Sequence, residues 1–128
     1  MTTPCVFCHL SPERIVHQGE FGLVIRDAYP ISPGHTLIVA RRHVASFFDI
    51  TDDERADLVG LLNRARDDLA RDLHPAGWNI GINDGIAAGQ TVPHLHIHLI
   101  PRYPGDREDP RGGVRWVLPD KASYWKPD

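Results

Sequence analysis

Residues 93–101 read PHLHIHLIP, a strict alternation of His94, His96 and His98 with Leu95, Ile97 and Leu99. A strand turns successive side chains to opposite faces, so this period of two predicts a strand over 94–100. One face is aliphatic and must meet a core. The other is a row of imidazoles with Cα atoms about 6.6 Å apart. Whatever the chain folds into must cover the first face and leave use for the second.

One long helix can supply the cover. Thr51 followed three residues later by Glu54 forms a capping box, and Asp52 and Asp53 put negative charge at the positive end of the helix dipole. Leu58, Leu62, Ala65, Leu69 and Leu73 recur at steps of four and three, an apolar stripe. His74-Pro75 and Gly77 end it. The rest reads as short strands. RIVHQ (14–18) and GLVIRD (22–27) flank GEFG as a hairpin, and TLIVAR (36–41) is apolar enough to be buried on both faces. WNIGIND (78–84) alternates again, while 29–35 and 84–93 carry the glycines and prolines of loops. The order β-β-β-α-β-β predicts an α+β domain: a mostly antiparallel sheet with one long helix across a face.

At 128 residues a single domain is expected over 1–128. The net charge of −3 argues against nucleic-acid polymers and anionic membranes as partners. No run approaches the roughly 18 apolar residues of a membrane helix. The N-terminus lacks the basic and apolar regions of a secretory signal, and the two cysteines, Cys5 and Cys8, form a CxxC pair rather than a disulfide framework. A cytoplasmic location is expected. The ending, 107–128, is rich in Pro, Gly and charge, yet it holds Trp116, Tyr124 and Trp125, so part of it should pack.

Three roles suit an imidazole row. The outer two lie roughly 13 Å apart along a strand, an awkward geometry for one metal ion at about 2.1 Å from each ring. A half-solvated sheet face accommodates one histidine easily but gives no reason for three in alternation. In a catalytic row the middle imidazole, neutral near pH 7, attacks and its neighbours orient it or hold the substrate.

HLHIHLI resembles the H-φ-H-φ-H-φ-φ signature of the histidine triad (HIT) superfamily of nucleotide hydrolases and transferases. SPGHTLIVARRH (32–43), NDG…AGQTV (83–92) and PRYPGD (101–106) are similar to segments that accompany it in that family. Together they cover a core of about 5–106 and lie nearest the fragile-histidine-triad, dinucleoside-polyphosphate-hydrolase branch. The resemblance implies the HIT fold, a five-stranded antiparallel sheet with one long helix, extended across a homodimer.

It also implies roles. His96 attacks the α-phosphorus of an adenine or guanine nucleotide, forming a nucleotidyl-histidine that water hydrolyses. His98 binds phosphate oxygens, and His94 flanks the other side within reach of His35. Gln90 and Thr91 contact the phosphate and leaving atom, with Gly89 admitting an anion to backbone N–H groups. Asn83 contacts the nucleotide, Asp27 reads the ribose hydroxyls or is a strand-end turn residue, and Phe7, Ile25 and Leu37 line the base pocket or belong to the ordinary core. Cys5, Cys8, His43 and His94 match a structural zinc site of similar bacterial members. Free thiols or a redox pair is the other reading of the CxxC, and His9 a competitor for His43. Catalysis requires no cofactor. The tail beyond 106 shapes the substrate pocket, where Arg107, Arg111, Arg115 and Lys121 can meet distal phosphates or simply serve surface solubility. The implied activity is hydrolysis of a dinucleoside polyphosphate such as diadenosine tetraphosphate. A purine nucleoside phosphoramidase, a phosphorylase or a non-catalytic nucleotide-binding module are its alternatives.

Overall fold

The computed structural model describes residues 4–125; the first three residues and the last three of the expected tail lie outside it. Strands β1 (Ile15–Gln18), β2 (Gly22–Arg26) and β3 (Thr36–Ala40) precede the helix α1 (Asp52–Leu73), followed by β4 (Gly77–Gly81) and β5 (His96–Arg102). They form one sheet in the order β1-β2-β3-β5-β4, every pairing antiparallel. The α+β architecture is as expected. The last strand starts two residues later than its pattern suggested and runs on through Pro101 and Arg102.

The helix begins where its capping chemistry places it. The Thr51 side chain accepts from the Glu54 N–H at 3.1 Å, and Glu54 Oε1 accepts from the Thr51 N–H at 3.0 Å. At the far end His74, not a glycine, takes the left-handed conformation (φ 51°) and caps Ala70 through its N–H. Pro75 cannot continue the helix, so it stops there. The buried stripe is Leu58, Leu61, Ala65 and Leu69. Leu62 is only half-buried and Leu73 is exposed, a rotation of the expected stripe by roughly one position.

That stripe packs on Val24, Ile38, Leu95, Ile97 and Leu99. The opposite face buries Ile25, Leu37 and Val39 beneath Phe7 and Leu10 of the N-terminal segment and Ile15 of β1. β2 and β3 are therefore covered on both sides, as the unbroken apolar run TLIVA required. Burying a side chain such as Ile38 or Leu99 completely stabilises by about 1.5–3 kcal/mol, so this double cover holds β3 and β5 firmly under the imidazole row.

The tail is built from stacked pairs. The guanidinium groups of Arg107, Arg111 and Arg115 lie 4.5, 4.8 and 4.8 Å from the rings of Trp116, Trp125 and Tyr124. Trp116 Nε1 donates to the Arg111 carbonyl at 2.7 Å, and Ala122 is buried. Among the described residues no helix is long and apolar enough to cross a membrane.

Candidate active site

β5 carries the cleft. His96, His98, Ile100 and Arg102 keep the period of two and all line one concavity of about 1060 Å³. That volume is at the upper end for a small-molecule site. Sheet order places β3 on one side of the histidines and β4 on the other. On the β3 side the walls include Phe7, Asp27, Tyr29 and Leu37; on the β4 side they include Asn79, Ile80, Val114 and Val117.

The three histidines, two residues apart in the chain, are held by three different hydrogen bonds. His96 Nδ1 lies 2.8 Å from the His94 carbonyl. A carbonyl only accepts, so Nδ1 carries the proton and Nε2 keeps its lone pair. His98 is set by a relay: the Ile31 N–H donates to His35 Nδ1 at 3.2 Å, so neutral His35 is protonated at Nε2. His35 Nε2 lies 3.0 Å from His98 Nδ1, which accepts, leaving His98 an N–H at Nε2. The middle ring thus presents a nucleophile and its neighbour a donor. Burial, with His96 and His35 nearby, pushes the His98 pKa below its ordinary value against the pull of Asp27, which keeps the relay neutral. Burial lowers His35 likewise, opposed by Asp27 at 3.3 Å.

His94 departs from the row. Its ring is fully buried, and Nε2 donates to the Ala40 carbonyl at 2.6 Å, leaving Nδ1 a lone pair. Nδ1 lies 3.4 Å from Cys5 Sγ and 3.5 Å from Cys8 Sγ, while His43 Nδ1 is 3.3 Å from Cys8 Sγ. All four ligand atoms fall within 4.8 Å of one another. Tetrahedral zinc with sulfur at about 2.3 Å and nitrogen at about 2.05 Å sets S···N near 3.6 Å. The donor set and spacing fit such an ion, and the Ala40 bond is the kind of outer contact that orients a ligating imidazole.

Several expectations are corrected here. His35 stands beside His98, not His94, because the Pro33-Gly34 turn places it at the start of β3, opposite the far end of the row. Gly34 allows this: its φ is +87°, and a Cβ there would lie 2.8 Å from Leu73 Cδ1. Ile25 is wholly buried behind the cleft, whereas Leu37 and Phe7 do line it. Gly89 (φ +91°) donates its N–H to Ile86, so that group faces the loop. The Gln90 amide is taken up likewise, its Oε1 accepting from Gly85 and its Nε2 donating to Ala45 and Val92. Gln90 lines the cleft as a brace of its loop. Thr91 and Asn83 are exposed on the cleft. Asp27 lines it too, with Oδ1 accepting from the Tyr29 N–H at 2.8 Å. Among the described basic residues of the tail Arg107 alone reaches the cleft; Arg115 is spent on the carbonyls of Lys121 and Ala122, and Arg111 pairs with Asp109. Ile100 and Arg102 were missed, although carrying the period of two past His98 finds both. Arg14, Val114 and Val117 carry no comparable local signal.

A five-stranded antiparallel sheet under one helix, with His96 and His98 at a cleft and His94 alongside, defines a histidine-triad protein. The chain belongs to the HIT family, whose HIT domain matches residues 10–105. It is 37% identical over 108 residues to an uncharacterised HIT-like protein of Methanocaldococcus jannaschii, covering 81% of this chain and 83% of the relative. It is 36% identical to the AP-4-A phosphorylase of Mycobacterium tuberculosis, over 76% of this chain and 51% of that protein. To the asymmetrical bis(5'-nucleosyl)-tetraphosphatase of Schizosaccharomyces pombe it is 42% identical, over 73% and 51%. The chain spans about half the length of these last two. Among solved structures it resembles a HIT family member from Bacillus subtilis (TM-score 0.74, 29% identity, covering 81% of this chain and 77% of that one). It also resembles a Zn-bound histidine triad family protein from Mycobacterium smegmatis (TM-score 0.67, 32% identity, 92% and 76%).

Proposed function

We infer that the protein is a nucleotide hydrolase or transferase that cleaves a dinucleoside polyphosphate at its α-phosphate through a covalent nucleotidyl-His96. The observation that carries this reading is the pair of tautomers: a lone pair on His96 Nε2 beside an N–H on His98 Nε2. His96 Nε2 bonds to the α-phosphorus as the bond to the leaving polyphosphate oxygen breaks. Positive charge gained by the ring is shared with the His94 carbonyl through Nδ1–H, and the His98 N–H meets the charge growing on the phosphoryl oxygens. The exposed Thr91 hydroxyl serves the leaving oxygen. Water then attacks the phosphorus, breaks the P–N bond and releases a nucleoside monophosphate, freeing His96.

Asp27 and Asn83 serve the sugar and phosphate, while Phe7 and Leu37 serve the base, adenine or guanine. The names of the two relatives concern a dinucleoside tetraphosphate, and diadenosine tetraphosphate is accordingly the substrate to assay first. Inorganic phosphate in place of water would yield a nucleoside diphosphate, the outcome that the phosphorylase relative favours. Zinc on Cys5, Cys8, His43 and His94 is structural in this reading, since four protein ligands fill its coordination and leave no open position. The enzyme works in the cytoplasm as a homodimer, which β4, an edge strand of the sheet, can extend by pairing.

The deciding experiment is intact-mass analysis of the protein mixed with diadenosine tetraphosphate and quenched without acid. One adenylyl group should appear on the wild-type chain and none on His96→Gly, whose turnover should vanish. A His96→Gly protein that keeps the full rate refutes the mechanism. Products run with and without phosphate separate hydrolysis from phosphorolysis.

A further inference from the structure

The N-terminal segment meets the sheet through side chains. Among the described residues 4–10 it adds no strand, and its one backbone hydrogen bond is its own turn, Cys8 N–H to the Cys5 carbonyl at 3.1 Å. Phe7 sits inside that turn, between the two thiols. Its ring lies 4.9 Å from the His96 ring and 5.8 Å from that of His94, and with Val6 it forms part of the cleft wall. His94 has the same double attachment from the other side: its ring is in the Cys/His cluster, and its carbonyl holds His96 Nδ1.

Two short paths therefore join the cluster to the cleft. One runs along the turn to Phe7, from Cys5 through Val6 and from Cys8 directly, the other through the backbone of His94 to His96. We propose that a thiophilic divalent cation of the zinc class, held by Cys5, Cys8, His43 and His94, sets nucleotide affinity by fixing Phe7 as the wall of the nucleoside pocket. The metal site is then an occupancy-dependent control on binding as well as a staple for the fold. With the ligands drawn together on an ion, the turn has one conformation and Phe7 one position. Without it, the segment is anchored by the packing of Phe7 and Leu10 and by weak thiol–imidazole hydrogen bonds, and the nucleoside must order the wall as it binds. This inference rests on the nucleotide reading above.

The test measures binding of AMP by calorimetry, with zinc content read by elemental analysis and folding by far-ultraviolet circular dichroism. Zinc-loaded wild type should bind AMP, chelation should raise the Kd about tenfold or more, and added zinc should restore it; loss of a base–aromatic stack is of that size. Phe7→Ala should keep its zinc and show the same weakening while loaded. Stripping that variant should then cost less than about threefold more, because the metal acts through the missing ring. Equal AMP affinity of loaded and stripped wild type overturns the proposal. So does multiplication of the two effects, or a chain that takes up no zinc. If stripping unfolds the protein, loaded Phe7→Ala still decides: wild-type affinity there refutes the role of the ring. A loaded wild type that binds no AMP refutes the nucleotide reading itself, whereas AMP binding indifferent to zinc refutes only the coupling.

Discussion

Each imidazole of the row has a different job because a different atom faces each ring. Ala40 fixes His94 at Nε2, the His94 carbonyl fixes His96 at Nδ1, and His35 fixes His98 at Nδ1. The alternation HLHIH showed that the aliphatic residues go to the core and that His96 and His98 share the cleft. It contained no information on tautomers, because Ala40 and His35 are brought in by β3, far away in the chain. The same distance hid the neighbour of His35. A prediction follows from the relay. His35→Ala removes the donor to His98 Nδ1, freeing His98 to turn a lone pair toward the phosphate. We expect kcat for diadenosine tetraphosphate to fall about tenfold or more, short of the roughly 10²–10³ lost with a transition-state donor itself. KM should move little, since His35 supports charge that grows only during reaction. Steady-state kinetics reads this; a rise in KM with kcat unchanged assigns His35 to ground-state binding instead.

At the scale of elements, local chemistry was legible and mutual orientation was not. Thr51 and Glu54 located the start of α1 to the residue, because a capping box involves only its own first turn. The stripe was off by about one position because the contact angle depends on β2 and β3, which select Leu61 over Leu62 and leave Leu73 outside. Thr51→Ala should cost about 1 kcal/mol in urea unfolding, the usual worth of an N-cap side chain. Glu54 does more than cap: buried at the helix start, it also receives Arg42 Nε at 2.9 Å and Nη2 at 3.1 Å. The Arg42 hydrogen bonds, then that from Thr51, hold its carboxyl down to about 2, from 4.5. The folded state therefore binds this proton less readily than the unfolded state. Its stabilisation is complete above about pH 4.5 and drains away as pH falls toward 2. The stability gap between wild type and Glu54→Gln should accordingly be widest near neutral pH and close through that window. A gap independent of pH would show that the charge contributes nothing.

The whole molecule is a sheet whose two sides meet the cleft with different materials. Toward β3 lie Asp27, Leu37 and Phe7; toward β4 lies the tail, with Arg107 on Trp116 and with Val114 and Val117 on the cleft wall. The tail's aromatic content showed in advance that it packs. Its position did not, since stacks between residues nine to fourteen apart have no period to read. In the proposed mechanism the α-phosphate lies between the sides, at His96. A nucleoside held against Phe7 and Asp27 leaves the β4 side for the departing group, so the tail should matter in proportion to that group's size. A chain ended after Asp106 loses this wall yet keeps all five strands, the helix, the imidazoles and the Cys/His cluster. Among the described residues Ala122 is the one core side chain it gives up, so the fold should survive with a Tm lower by a few degrees. Its kcat/KM for diadenosine tetraphosphate should drop about tenfold further than that for adenosine 5'-phosphoramidate, whose leaving group is only an amine. The differential corresponds to about 1.4 kcal/mol of contact made by the second nucleotide alone. Side-by-side rates on the two substrates measure it, and an equal loss on both would mean that the tail steadies the fold without reading the leaving group.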